Sequence, residues 1–147
     1  MRVKKKVTEL ELQAQVADYL RLQYPNVLFH SDFGSGIKLT MGQAAKQKRL
    51  QGRRGYPDLF IAEPRTIRKG GDKYYYAGLF LELKRPGTTI YKKNGELVSN
   101  EHIQEQARML EELRRRDYMA EFACGFDETK KIIDEYLGGP VKEGVEF

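Results

Sequence analysis

Three side chains in the middle of the sequence have the types and spacing for hydrolytic chemistry on a phosphate: Asp58 in "GYPDLF", and Glu82 and Lys84 in "LFLELKRPG". Strand side chains alternate between faces, so Glu82 and Lys84 share one face while Leu79, Leu81 and Leu83 share the other. Such a pattern reads in two ways. It is either an edge strand whose charged face is solvated, or a strand that holds the pair for chemistry. If the strand opened by Asp58 pairs with it, two carboxylates and one lysine converge at one end of a sheet. That set suits a hard divalent cation: Mg²⁺ binds through one or two carboxylates, keeps several waters and leaves room for phosphate oxygens. A lysine beside such a water can orient or deprotonate it, or stabilise the charge that builds on the phosphate.

The elements that must position these residues follow from periodicity and punctuation. Thr8 is a good N-cap for a first helix along the stripe Leu12, Val16, Tyr19, Leu20 and Gln23, stopped by Pro25. Glu9 sits on the Leu12 face of that helix, where a carboxylate also complements the helix dipole. "NVLFHSDFG" reads as a strand, and "SGIKLTMGQAAKQKRLQGRRG" as a long basic connection with a helical turn or two around Gln43 to Leu50. "PDLFIAEP" reads as a short strand, and "YYYAGLFLELKR" as a longer one after a turn at Gly70 and Gly71, the two pairing as neighbours. Asn94 and Gly95 mark a tight turn between "TTIYKK" and "ELVS", a minor hairpin. "NEHIQEQARMLEELRRRD" is an amphipathic helix with Ile103, Ala107, Leu110 and Leu113 or Arg114 along its stripe. "YMAEFACG" is a further strand, and "DETKKIIDEYLGG" a last helix with Asp127 as its cap and Gly138 past its end. The order α, β, basic linker, β, β, α, β, α points to a mixed α/β sandwich with a central sheet.

The 147 residues fit one domain, 1–147, with a basic N-terminal tail over 1–7 and a short C-terminal tail over 138–147. Cys124 is the single cysteine, so no intrachain disulfide forms, and no apolar run approaches the length of a signal sequence or a membrane span. These features point to a cytoplasmic protein. Charge is strongly polarised. Met1 to Gly95 holds 19 Lys and Arg against 8 Asp and Glu, net +11, whereas Glu96 to Phe147 holds 7 against 13, net −6. The basic clusters "RVKKK", "KQKRLQGRR" and "IRKGGDK" can neutralise phosphates and attract nucleic acid. Lys46, Lys48, Arg49, Arg53, Arg54 and Arg85 are the candidate phosphate contacts of a nucleic-acid partner, with Arg53 and Arg54 foremost.

"PD" followed by "ELK" resembles the PD-(D/E)XK nuclease signature. More narrowly, "VTELELQ", "GRRGYPDL", "LELK" and "EQARMLEEL", in this order, resemble the VRR-NUC family, the virus-type replication and repair nucleases. The resemblance implies a restriction-endonuclease-like fold. It implies that Asp58 and Glu82 ligate Mg²⁺ or Mn²⁺, with the Leu83 carbonyl as a further ligand and Lys84 as the catalytic lysine. Glu9 matches the acidic residue of the first helix, with Glu11 as the alternate. Gln106 matches the glutamine of the helix after the lysine, with Gln104 as the alternate. The stretch between Asp58 and Glu82, which contains "EPRTIRKGGDKYYY", is longer than a minimal family pattern. The resemblance further implies a DNA endonuclease of bacterial or phage origin acting in DNA repair, recombination or phage replication. Stand-alone domains of this family resemble Holliday-junction resolvases, which implies a homodimer acting on branched DNA. A nicking or restriction-like enzyme on duplex DNA and a non-catalytic DNA-binding module are the alternatives.

Other features have plainer explanations. "FGSG" lacks the Lys and Ser or Thr of a phosphate-binding loop and reads as a turn. His30, His102 and Cys124 are too scattered for a zinc site; His30 reads as strand packing and His102 as a surface residue. Tyr74, Tyr75 and Tyr76 read first as strand residues, with base stacking a lesser possibility.

Overall fold

The computed structural model describes residues 7–32 and 38–139; the "RVKKK" cluster, the "FGSG" turn and residues 140–147 lie outside the described residues. The Thr8 side chain accepts the Glu11 amide and starts α1 (Glu9–Gln23), whose Leu12, Val16 and Leu20 face the core. After β1 (Phe29–Ser31), Thr40 and Gln43 form a capping box that opens α2 (Met41–Leu50). This helix spans 10 residues, longer than the turn or two expected, and buries none of them.

The strands β2 (Leu59–Ile61), β5 (Gly78–Lys84) and β6 (Tyr118–Cys124) join β1 in one sheet of order β1-β2-β5-β6. β2 and β5 are neighbours, as expected for "PDLFIAEP" and "LFLELK", and the β1–β2 and β2–β5 pairs are both antiparallel. β5 and β6 are parallel, and α3 (Glu101–Arg114), capped by Asn100, supplies the crossover that parallel neighbours need. β5 therefore lies between two strands and is buried over its whole length, which overturns the edge-strand reading of its charged face.

The expected single strand "YYYAGLFLELKR" divides at Ala77. Its first part, β4 (Asp72–Tyr76), pairs with β3 (Arg65–Lys69) as a separate hairpin, so the long stretch between Asp58 and Glu82 folds on itself. Gly78 marks the division: a Cβ there would lie 2.8 Å from the Phe60 ring and 2.9 Å from the Ile61 carbonyl, too close for any other residue.

Helices cover both faces of the sheet. Leu79, Leu81 and Leu83 of β5 pack with Leu12, Val16 and Leu20 of α1 and with Ile133, Tyr136 and Leu137 of α4 (Gly125–Leu137). Phe80 of β5 and Ala120 and Phe122 of β6 pack with Ile103, Met109, Leu110 and Leu113 of α3. The architecture is a mixed sheet between helical layers, the α/β sandwich the pattern predicts.

Of three smaller expectations, two are corrected and one is met. α4 begins at Gly125 with Cys124 at its cap position, so Asp127 belongs to the first turn; Gly138 does end it, with a left-handed φ of 84°. The minor hairpin of "TTIYKK" and "ELVS" is present as an antiparallel bridge between Tyr91 and Leu97, flanked by backbone hydrogen bonds from Lys92 to the Glu96 carbonyl and from Val98 to the Ile90 carbonyl. His30 is exposed, because β1 is an edge strand and this position faces outward. Among the described residues, no helix is long and apolar enough to cross a membrane.

Candidate active site

β2 and β5 run in opposite directions, so the start of one lies beside the end of the other. Leu59 pairs with Leu81, and one step further along the ladder brings Asp58 opposite Glu82. Asp58 is held there by its own strand partner: its Oδ2 accepts the Leu83 amide at 2.9 Å. Both carboxylates are buried, at 7% and 4% exposure, and Lys84 on the same face is at 7%. The Lys84 Nζ stands 3.8 Å from Glu82 Oε1.

α3 completes the arrangement from above the sheet. Gln106 is buried and donates from Nε2 to Glu82 Oε1 at 2.8 Å, and the same nitrogen lies 3.2 Å from His102 Nε2. Gln104 instead donates to the Val98 carbonyl, so of the two glutamines only Gln106 reaches the site. Glu82 Oε2 and Gln106 Oε1 are buried with no hydrogen-bond partner. Burial pushes the Glu82 carboxyl well above the usual range, the charge of Asp58 adds to it and Glu9 contributes less, while Lys84 acts in the opposite sense.

A cavity of about 480 Å³ opens over this pair. Glu9, Asp58, Glu82 and Gln106 line it, and Lys48 and Arg54 bring positive charge to its lining. Glu11 is exposed and caps nothing in the cavity, so of the two first-helix acids only Glu9 reaches it. Lys84 does not line the cavity wall but stands beside Glu82. Lys46, Arg49 and Arg85 are exposed away from the cavity, and Arg53 opens onto a neighbouring one. His102, read as a surface residue, is exposed and also lines the site.

Two residues that line the cavity went unremarked in the sequence. Asp32 follows β1, and its amide donates to the Asp58 carbonyl at 2.7 Å, which ties the end of β1 to the start of β2. Only the β1–β2 pairing reveals it. Tyr56 stands two residues before Asp58 on the loop from α2, and that loop is seated by Gly55, whose φ is +83° and whose missing Cβ would lie 3.1 Å from the Glu105 carbonyl.

Among the described residues, no group of three or more His, Cys, Asp and Glu side chains is placed to hold a metal by itself. What the site offers is two opposed carboxylates, one with an unpartnered buried oxygen, beside a lysine. That donor set fits Mg²⁺ or Mn²⁺, which take one or two carboxylates and fill the remaining positions with water and phosphate oxygen.

No family model matches the sequence, and no curated protein does. A solved structure described as a VRR_NUC domain protein aligns with the chain at a TM-score of 0.61 and 26% identity, over 91% of this chain and 91% of that one. The shared fold and the nearly complete coverage support a nuclease-type domain similar to that VRR_NUC domain protein.

Proposed function

We propose that this chain is a Mg²⁺- or Mn²⁺-dependent endonuclease that hydrolyses DNA phosphodiester bonds, with branched DNA such as four-way junctions as its substrate and a homodimer as its working form. The observation that carries the reading is the buried Asp58 and Glu82 pair with Lys84 on the same face of a strand that packing alone would have filled with apolar side chains.

Asp58 and Glu82, with the Leu83 carbonyl, would hold the cation, which when bound supplies Lewis acidity toward the phosphate and lowers the pKa of a coordinated water. The protein's own part is positioning and charge. The Leu83 amide orients Asp58, and the Gln106 amide orients Glu82. Lys84 provides ammonium donors beside the carboxylates, where negative charge builds on the phosphate oxygens. Glu9 adds a third carboxylate to the cavity, and Lys48 and Arg54 offer phosphate contacts at its rim, with Arg53 next to them.

Incubation of a labelled four-way junction, a splayed fork and a linear duplex with the protein in Mg²⁺, Mn²⁺ or EDTA tests this. Paired symmetric cuts in the junction are expected, lost in EDTA and in Lys84→Ala, with a light-scattering mass of twice the 17.0 kDa chain. Equal cutting of the linear duplex assigns a nicking or restriction-like enzyme instead. Salt-sensitive binding with no cut under either metal overturns the catalytic reading in favour of a DNA-binding module.

A further inference from the structure

Beside the carboxylate cavity lies a second one of about 430 Å³, built from the same three elements one step further along each. On β5 the step runs from Glu82 to Phe80, two residues along the same face and about 7 Å away. On α3 it runs from Gln106 to Met109 and Leu113, one and two turns on. On the loop before β2, Tyr56 lines both cavities, with Arg54 on the first and Arg53 on the second.

The chemistry of the two cavities differs. The second has an apolar floor of Phe80, Met109 and Leu113, each under 8% exposed, between two tyrosine rings. Tyr56 meets Phe80 edge to face at 5.5 Å, and Tyr118 meets it likewise at 5.0 Å. More than half of Tyr56 remains exposed at 53%, although its ring already has an aromatic neighbour. At the mouth stand Arg53 and Arg116, the latter paired with Glu112 at 2.7 Å. A pocket with aromatic walls, an apolar floor and cationic groups at the rim matches a planar heterocycle attached to a phosphate backbone.

From this juxtaposition we infer that the Tyr56–Phe80–Tyr118 pocket receives one unstacked nucleobase of the DNA strand whose phosphate lies at Asp58 and Glu82. The inference rests on the nuclease reading for its strand, and it adds a substrate requirement: a nucleotide beside the scissile phosphate that leaves the stack at low cost. Mismatched, unpaired or junction-flanking nucleotides meet this requirement, and fully stacked duplex does not. Tyr56 supplies the stacking ring, and Arg53 and Arg116 hold the flanking backbone.

Binding measured in EDTA separates this inference from the cleavage reading. Fluorescence anisotropy is recorded with a splayed fork in which an abasic residue replaces each nucleotide in turn around the branch point. For the wild-type protein, one position is expected to weaken binding roughly 10- to 100-fold when its base is removed. Tyr56→Ala should bind the intact fork that much more weakly and lose sensitivity to the abasic position, whereas Tyr56→Phe should behave as wild type because the ring acts and not the hydroxyl. Tyr56 lies on an exposed loop, and an unchanged melting temperature of the alanine variant verifies its fold. A flat abasic scan overturns the inference, as does a sensitive position that Tyr56→Ala leaves equally sensitive. If the fork is bound in this base-dependent way but never cut with Mg²⁺ or Mn²⁺, the cleavage reading fails and the pocket stands.

Discussion

Two carboxylates, one on each side of the sheet, are treated in opposite ways by this fold. Asp134, on the α1 and α4 side, accepts the hydroxyls of Tyr19 and Tyr24 at 2.5 and 2.6 Å and the Lys130 ammonium at 2.9 Å. Burial alone would raise its pKa, and the two hydroxyls with Lys130 outweigh that and hold it below the usual range. Glu82, under α3, is more deeply buried, has one oxygen without a partner and is pushed up. The Asp134 network uses its charge to join α1 to α4. At Glu82 the charge is left incompletely compensated, as a site must be if it is to gain by taking up a cation. The two faces of β5 repeat the contrast: Leu79, Leu81 and Leu83 fill a core, while Glu82 and Lys84 occupy equally buried positions that contribute little packing.

Adjacent substitutions in β5 break the contrast most directly. Leu81→Ala empties a fully buried position and should cost about 2–5 kcal/mol of folding stability. Glu82→Gln keeps the shape, still accepts the Gln106 amide and puts a donor beside Asp58, so in EDTA it should cost less than about 1 kcal/mol. Urea unfolding of both variants measures the difference, and a Glu82→Gln loss as large as that of Leu81→Ala would show Glu82 to be structural.

Activity should divide the faces in the reverse order. Lys84→Ala is expected to lower cleavage about 10²–10³-fold at saturating Mg²⁺, the scale of removing one preorganised charge donor. Single-turnover rates report it. A variant that folds and cuts at the wild-type rate would remove Lys84 from the chemistry.

A smaller effect is expected at Gly55, which seats the Tyr56 loop against α3. Gly55→Ala forces a side chain into a left-handed backbone and within 3.1 Å of the Glu105 carbonyl, at about 1–3 kcal/mol. Because the loop carries Arg54 and Tyr56, fork binding should weaken along with stability. A stability loss with unaltered binding would detach the loop from the site.

The sheet and the Asp58 and Glu82 meeting were legible because both depend on short-range signals: period-2 alternation, a proline boundary and two strands close in sequence. The choice between Glu9 and Glu11, and between Gln106 and Gln104, was not, since each pair differs only by rotation about a helix whose docking the sequence does not give. Asp32 was hidden because its place follows from the β1–β2 pairing across the whole of α2. α2 was underestimated because it buries nothing and so shows no apolar stripe, although the Thr40 and Gln43 capping box was there to be read. The division of "YYYAGLFLELKR" at Ala77 was hidden because Asp72–Tyr76 pairs with Arg65–Lys69 in a separate sheet, a tertiary outcome that no strand propensity encodes.

The smallest effect tests the other member of the opening pair. A carboxyl held below its ordinary pKa by folding contributes stability that is fully present above the unfolded-state value, near 3.8, and is lost as pH falls through the lower folded-state value. Asp134→Asn should therefore melt below wild type at pH 7, with the gap closing on acidification below about pH 3.8 as the wild-type carboxyl takes up its proton. Thermal melts of the two proteins across that range measure the gap. A gap that persists unchanged in acid would mean that the Tyr19 and Tyr24 hydroxyls bind the neutral side chain as well as the charged one, and that the contrast with Glu82 is one of hydrogen-bond count and not of charge.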